Sequence, residues 1–113
     1  MNDHDDALAA QLSPYRATPG VVAALLVSKD GFVVAADADP GLDADAIAAQ
    51  AAGVIDIGAR LAAELGRREA RIICVDLDDL TVVLAPFGGE LMLVLVGLPG
   101  TITSEVRLNV PGA

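Results

Sequence analysis

The sequence predicts an α+β domain with a single five-stranded antiparallel sheet, a long helix on one face and a short terminal helix or helices on the other. Two apolar runs flank Asp30-Gly31, a dipeptide that is typical of β-hairpin turns. A long alanine-rich segment with helical periodicity follows, and three short apolar runs separated by turn residues come after it. The predicted order is therefore α-β-β-α-β-β-β in one domain.

The N-terminal part of the chain contains one predicted helix and the predicted hairpin. Residues 4–12 favour a short helix, which Ser13-Pro14 should end because the residue before proline avoids the α region. Residues 21–28 form an apolar run without polar alternation, as expected of a strand that is buried on both faces. Residues 32–37 should return antiparallel across Asp30-Gly31, where both turn residues are expected to have positive φ.

The long helix should begin after Asp43, which is a good N-cap, and run to Leu65, with Gly66 as its left-handed cap. The three apolar runs that follow predict strands over residues 71–77, 80–87 and 90–98. We therefore assign the domain to residues 1–100. The tail, residues 101–113, is weakly patterned, and we expect it to hold one short helix around residues 104–109 or to be disordered.

The long helix has two kinds of apolar face. At about 100° per residue, one stripe is predicted to pack on the sheet, and it consists of Ile47, Val54, Gly58, Leu61 and Leu65. The opposite face carries Ala48, Ala52, Ala59 and Ala63, with Asp45 and Asp56 beside them. Because small side chains let a second helix approach closely, we interpret this face as a contact with the same helix of a second chain. The alternative interpretation is that alanine is present for its high helix propensity.

Composition argues against several classes of partner. The net charge is −9, so neither nucleic acid nor an anionic membrane surface is expected to bind. Only Tyr15, Phe32 and Phe87 are aromatic, which disfavours a base-stacking platform or a cofactor pocket. Cys74 is the single cysteine and lies in an apolar run, so we expect a buried thiol in a cytoplasmic protein without disulfides.

Clusters of aspartate raise the question of a metal site. One cluster is Asp76, Asp78 and Asp79, and the other is Asp37, Asp39, Asp43 and Asp45. We interpret the first as a solvated turn and the second as a strand end and a helix cap, since its spacing fails the EF-hand pattern. The chain has no phosphate-binding glycine loop, and its one histidine is His4. We therefore expect no metal, no cofactor, no catalytic residue and no enzymatic activity.

Two segments of the chain resemble the Roadblock domain family, which includes the dynein light chain Roadblock and MglB-like partners of small Ras-like GTPases. They run from Gly20 to Gly66 and from Arg71 to Gly100. The markers are an apolar strand that ends in Ser28-Lys29-Asp30-Gly31, a long alanine-rich helix that ends in Leu65-Gly66, and the three-strand meander.

The resemblance implies a profilin-like fold and a non-enzymatic role, in which dimers bind and regulate small GTPases or act as scaffolds. It implies a cytoplasmic homodimer in bacterial signalling or polarity, with a small Ras-like GTPase as partner, a sensor kinase system as a further associate, and a GTPase-activating role as one form of the regulation. The dimer would form through the long helices and the edge strand, and the interface residues it implies are Ala48, Ala52, Ile55, Ala59, Ala63, Arg71, Ile73, Val75 and Asp76. The alternative function is a small-ligand-binding sensor domain of the same architecture.

Overall fold

The helices and strands of the computed structural model follow the predicted order, with one additional short helix. The structure describes residues 3–99, with side chains from Ala7 to Pro99. The elements are α1 (Asp3–Ala10), α2 (Ser13–Arg16), β1 (Val21–Ser28), β2 (Val33–Ala38), α3 (Ala44–Glu64), β3 (Ile73–Asp76), β4 (Thr81–Gly88) and β5 (Leu91–Gly97). The predicted tail helix around residues 104–109 lies outside the described residues.

The five strands form one antiparallel sheet in the order β2-β1-β5-β4-β3, which confirms the predicted fold class. The central strands β1 and β5 are buried on both faces, as the apolar run of residues 21–28 predicted. On one face Leu26, Leu93 and Leu95 pack with Leu12 and Tyr15 of the N-terminal segment. The other face is covered by α3, so the sheet lies between two helical layers.

The turn between β1 and β2 differs from the prediction. Only Gly31 has a positive φ, of 88°, because the loop has three residues rather than two. The backbone N–H of Ser28 donates to the carbonyl of Phe32, and the N–H of Gly31 donates to the carbonyl of Ser28. Glycine at the third loop position is the usual solution for this loop length.

Pro14 begins a helix rather than ending one. The predicted helix over residues 4–12 ends at Ala10, and α2 starts at Ser13 with Pro14 in its first turn. Proline suits that position because the first N–H groups of a helix have no intrahelical acceptor. The break turns Tyr15 back onto the sheet, where it is buried and its ring lies edge-on to Phe87.

Arg16 joins α2 to both strands of the first hairpin. Its Nη1 donates to the carbonyl of Val21 at 2.6 Å, its Nε donates to Asp37 at 3.1 Å, and its Nη2 donates to Asp39. The hydrogen bond to Asp39 is the main cause that raises the pKa of Arg16 above its ordinary value. The two aspartates at the end of β2 are therefore partners of a guanidinium that holds the N-terminal segment against the sheet.

Both ends of α3 form as predicted. The side chain of Asp43 accepts from the N–H of Ala46 at 3.1 Å, and Gly66 adopts a left-handed conformation with φ 70° after the last turn. In contrast, β3 covers only Ile73–Asp76, which is shorter than the predicted strand over residues 71–77. Residues 67–72 are a connecting segment rather than part of the sheet.

Replacing Arg16 by Gln should lower the urea midpoint of unfolding, because Gln cannot donate hydrogen bonds to Val21, Asp37 and Asp39 at the same time. The matched control is Arg60→Gln, since among the described side chains Arg60 pairs only with Asp56 on the same helix, and both side chains are more than half exposed. Urea titrations followed by circular dichroism should show a clearly larger shift for Arg16→Gln. Equal shifts for the two variants would contradict this role for Arg16.

Replacing Gly53 by Ala should raise the free energy of unfolding by about 0.5–1 kcal/mol, because alanine loses less conformational entropy than glycine in the interior of a helix. A Cβ at Gly53 meets no atom within 4 Å. The matched variant is Gly58→Ala, where a Cβ would lie 2.7 Å from Cδ1 of Ile73 and 3.3 Å from Cβ of Ala70. Gly58→Ala should therefore gain less stability in the same titration, and a larger gain would contradict this packing.

Candidate functional site

The face of α3 that packs on the sheet is only partly the predicted one, since Ile47 and Val54 pack against the core as expected but other members of the stripe do not. Ala48 is 0% exposed and Ala51 is 5% exposed, and both lie in the core with Leu25 and Val94 of the central strands. Ala48 was expected on the outer face, so that assignment is wrong. The helix is rotated so that a stripe of small residues meets the sheet, which is possible because a small side chain allows close approach.

The alanine face also accommodates the first hairpin. A Cβ on Gly31 would lie 3.4 Å from the Cα of Ala49 and 3.4 Å from the Cβ of Ala52. The loop therefore rests directly on α3, and Ala52 is half-buried against this chain's own turn. Small residues on this side of the helix are explained in part by contacts within one chain.

Large apolar side chains lie on the side of α3 that the rotation leaves uncovered. Ile57 is 66% exposed, Leu61 is 61% exposed and Leu65 is 66% exposed, although Leu61 and Leu65 were predicted to pack on the sheet. Together with the half-buried Val54 they form what we call the exposed ridge. Three bulky aliphatic residues that share one helix face with most of their surface in water indicate an interaction surface.

An apolar groove separates the exposed ridge from the outer strands. It has a volume of about 320 Å³, and its lining residues are Ala46, Ile47, Gln50, Ala51, Val54, Val75, Val82 and Leu84. Gln50 is the only polar one of these described lining residues. The groove exists because α3 lies over the central strands and leaves part of β3 and β4 uncovered.

A wider depression continues along the C-terminal half of the exposed ridge. It has a volume of about 550 Å³ and runs from Ile57, Leu61 and Leu65 to Ile72 and Cys74. A third groove, of about 310 Å³, lies under the same half of α3 and is bordered by the exposed pair Lys29 and Glu90, whose charged atoms are 3.6 Å apart. Charged residues also line these two grooves, among them Arg67, Glu69 and Arg71, so the most apolar surface is the groove that Val54 and Val75 share. Open, mainly apolar surface of that kind is suited to contact with another protein more than to recognition of a small polar ligand.

Within residues 3–99, the edge strand β3 has backbone groups without a partner beside these grooves. The N–H of Leu77 donates to the carbonyl of Leu80 at 2.8 Å, so these two residues are a hydrogen-bonded pair. In an antiparallel ladder such residues alternate with residues whose backbone groups point away. Because β3 pairs with β4 in the register Ile73 with Leu84 and Asp76 with Thr81, the N–H and C=O groups of Cys74 and Asp76 point outward.

The side chains of the edge strand divide between the two faces of the sheet. Ile73 and Val75 are half-buried on the face of α3, whereas Cys74 and Asp76 are exposed. The expectation that Cys74 is buried is therefore wrong, because it lies on the open edge rather than inside the sheet. The carboxylate of Asp76 accepts from the hydroxyl of Thr81 at 2.7 Å, and Thr81 is 1% exposed.

The residues expected at an interface are not all available. Ala48 is buried and Ala52 and Ile55 are half-buried against the chain's own hairpin and sheet, whereas Ala59, Ala63 and Arg71 are exposed. Sequence reasoning placed Leu61 and Leu65 on the wrong side of the helix. It also missed Ile57, which belonged to neither predicted stripe, because helical periodicity does not fix how the helix is rotated on the sheet.

Four aspartates of the two clusters have structural partners. Asp43 caps α3, Asp37 and Asp39 bind Arg16, and Asp76 binds Thr81. Within residues 3–99, no three His, Cys, Asp or Glu side chains come together in the arrangement of a metal site. In the same part of the chain, every buried side-chain nitrogen or oxygen has a hydrogen-bond partner.

A five-stranded sheet with one long helix beside an open edge is the architecture of Roadblock-type interaction domains. A family model, the Roadblock/LC7 domain, matches residues 8–97. The chain therefore belongs to the Roadblock/LC7 family, as the resemblance predicted. The comparison with curated proteins gave no match.

Solved structures share the fold. MglB from Myxococcus xanthus has a TM-score of 0.84 at 18% identity, covering 96% of this chain and 82% of that one. The gliding protein MglB from Thermus thermophilus has a TM-score of 0.80 at 22% identity, covering 96% and 84%. A Roadblock/LC7 domain from Streptomyces avermitilis has a TM-score of 0.70 at 27% identity, covering 84% and 78%.

Replacing Thr81 by Val should lower the free energy of unfolding by about 1 kcal/mol, because it removes the hydrogen bond from the Thr81 hydroxyl to the carboxylate of Asp76 in the edge strand. Replacing Asp76 by Ala should cost about 1–3 kcal/mol, since it leaves a buried hydroxyl without its acceptor. The control is Asp78→Ala in the exposed turn, with an expected change within about 0.5 kcal/mol. Chemical denaturation measures all three, and equal values for Asp76→Ala and Asp78→Ala would contradict this bond.

Proposed function

We propose that this chain is a non-enzymatic, homodimeric regulator of a small Ras-like GTPase. The observation that carries the proposal is the exposed ridge of α3 next to the free edge of β3, in a chain of the Roadblock/LC7 family. Both features call for a partner. The ridge and the edge strand lie on opposite sides of the apolar groove and of the wider depression that continues from it. One partner can therefore cover the ridge and pair with the edge at the same time.

A second copy is the partner that best suits this surface. The ridge offers aliphatic side chains without a charged residue among them, so association would be driven by removal of apolar surface from water, at about 25 cal/mol per Å². A two-fold interface is self-complementary, and a uniform apolar ridge can meet its own copy without charge repulsion. Ala59 and Ala63 lie at the margin of this proposed interface rather than at its centre.

The alternative to a second copy is that a membrane covers the exposed side of α3. By length and composition only, this helix is apolar enough to cross a bilayer, with a mean hydropathy of 1.3. Its capped start and the packing of Ala48 and Ala51 on the sheet favour a helix that stays on the domain. The net charge of −9 also disfavours anionic lipid, so we propose a cytoplasmic protein.

The GTPase is proposed from the family role that the resemblance implies. The chain would act by binding the GTPase and changing the properties of the GTPase's own nucleotide site. Stimulation of GTP hydrolysis is one form of this regulation. The strongly acidic surface favours a basic patch on the partner. A sensor kinase system is a further proposed associate. A small-ligand sensor is not favoured, because the grooves are open and apolar.

The dimer is tested by sedimentation equilibrium. The wild-type chain should have about twice the mass of 11.5 kDa at tens of micromolar. Leu61→Arg should shift the chain to monomer, because it places a charge at the centre of the ridge. The matched control is Ala63→Glu, about 160° around the helix from Leu61, which should leave the dimer largely intact.

The opposite pattern would contradict the proposed face. If Ala63→Glu dissociated the dimer and Leu61→Arg did not, the alanine side would be the interface. A wild-type monomer under these conditions would contradict the homodimer itself. Circular dichroism of each variant should confirm that the fold is retained.

The GTPase role is tested with purified small Ras-like GTPases from the same genome. Each is loaded with GDP or with a non-hydrolysable GTP analogue and titrated with the dimer in a calorimeter, and GTP hydrolysis is measured with and without it. We expect micromolar or tighter binding that depends on the nucleotide state. The absence of binding to every such GTPase in both states would contradict the proposed function.

A further inference from the structure

The register in which two copies of β3 pair follows from the geometry of the edge. This inference rests on the homodimer proposed above and deepens it. A two-fold axis that sets two copies of one edge strand side by side and antiparallel must be perpendicular to the sheet. Both α3 helices then lie on the same face of the joined sheet, and residues that oppose each other point to the same face.

Alternation of side chains limits the registers. Because successive residues of a strand point to opposite faces, a residue can oppose only residues an even number of positions away. One residue of β3 must therefore lie on the axis and face its own copy. β3 consists of Ile73, Cys74, Val75 and Asp76. With Ile73 on the axis, the outward groups of Cys74 and Asp76 could pair only with residues outside β3, so three registers remain.

Hydrogen bonding and charge favour Val75. With Val75 on the axis, the outward N–H and C=O of Cys74 pair with those of Asp76 in the other copy, and Asp76 pairs in the same way with Cys74 of the other copy. All of these hydrogen bonds are therefore made by residues of β3. With Cys74 on the axis, bonds beyond the central pair require Ile72, which is outside β3. With Asp76 on the axis, two carboxylates would stand opposite each other, which is destabilising.

Side-chain matching gives the same answer. With Val75 on the axis, Val75 meets its own copy on the face of α3, and Ile73 meets Leu77 of the other copy. Leu77 is 53% exposed in the single chain and would gain an apolar neighbour. With Cys74 on the axis, Leu77 would instead oppose Arg71, and Ile72 would oppose Asp76.

The axis at Val75 also joins the edge to the helix surface. Val75 is in the floor of the apolar groove, next to Val82 and across from Val54 of the exposed ridge. We propose that the dimer axis passes beside Val75, so that the grooves of the two copies meet there and the two ridges flank the same apolar seam. A second copy of this chain is the occupant of the groove.

Single-cysteine cross-linking tests the register. The three chains are the wild type with Cys74, Cys74→Ala combined with Val75→Cys, and Cys74→Ala combined with Asp76→Cys. Diamide is the oxidant and takes up the two protons and two electrons that the two thiols release on forming a disulfide. A disulfide requires Cα atoms about 4.4–6.8 Å apart.

With the axis at Val75, the cysteines at position 75 face each other in a pair without hydrogen bonds, at about 4.5 Å between Cα atoms. Cysteines at 74 or 76 would be about 8 Å from their copies, since each is displaced two residues from direct opposition. The Val75→Cys chain should therefore cross-link at least tenfold faster than the other two. Sedimentation and circular dichroism of the reduced chains establish that each is a folded dimer.

Each outcome is decisive. Fastest cross-linking at position 75 supports the proposal, and fastest cross-linking at 74 or 76 overturns the register while the dimer stands. Dimers by mass with no cross-link at any position overturn the register with Val75 on the axis. Monomers by mass for the wild type overturn the homodimer on which the inference rests.

Discussion

The close packing of α3 on the sheet is the constraint on which the rest of the structure depends. The helix presents Ala48, Ala51 and Ala62 to the sheet or its margin, and these side chains are almost completely buried. A stripe of methyl groups meets the sheet, with Ile47, Val54 and Ile55 half-buried at its margins, and Ile57, Leu61 and Leu65 lie outside this contact. The exposed ridge is therefore a consequence of how the core is filled.

The two edge strands of the sheet, β2 and β3, differ in how far they are covered. At the β2 edge, Asp37 and Asp39 bind Arg16, and α1 packs against the strand, so that edge is charged and partly covered. The β3 edge has four residues, none of them lysine or proline, and the backbone groups of Cys74 and Asp76 have no partner in the part of the chain that the structure describes. Natural sheets usually protect such edges, so this asymmetry marks the β3 edge as the side for association.

Much of the fold could be predicted from local patterns, because each pattern reports a local physical requirement. Asp43 and Gly66 satisfy the ends of α3, and the apolar run of β1 needs burial on both faces. The candidate site was predicted less well. The edge strand was found, but the helix face was assigned from helical periodicity, which does not reveal which apolar stripe lies under the helix.

The sequence by itself determined the order of the elements, the ends of the long helix and membership of the fold class, because caps, turns and apolar periodicity act over a few residues. The tertiary structure alone decided the rotation of α3, the exposure of Cys74 and the partners of Asp37 and Asp39. Those outcomes depend on contacts between residues far apart in the chain. A stripe of alanine and a stripe of leucine are both apolar, and only the space above a particular sheet selects between them.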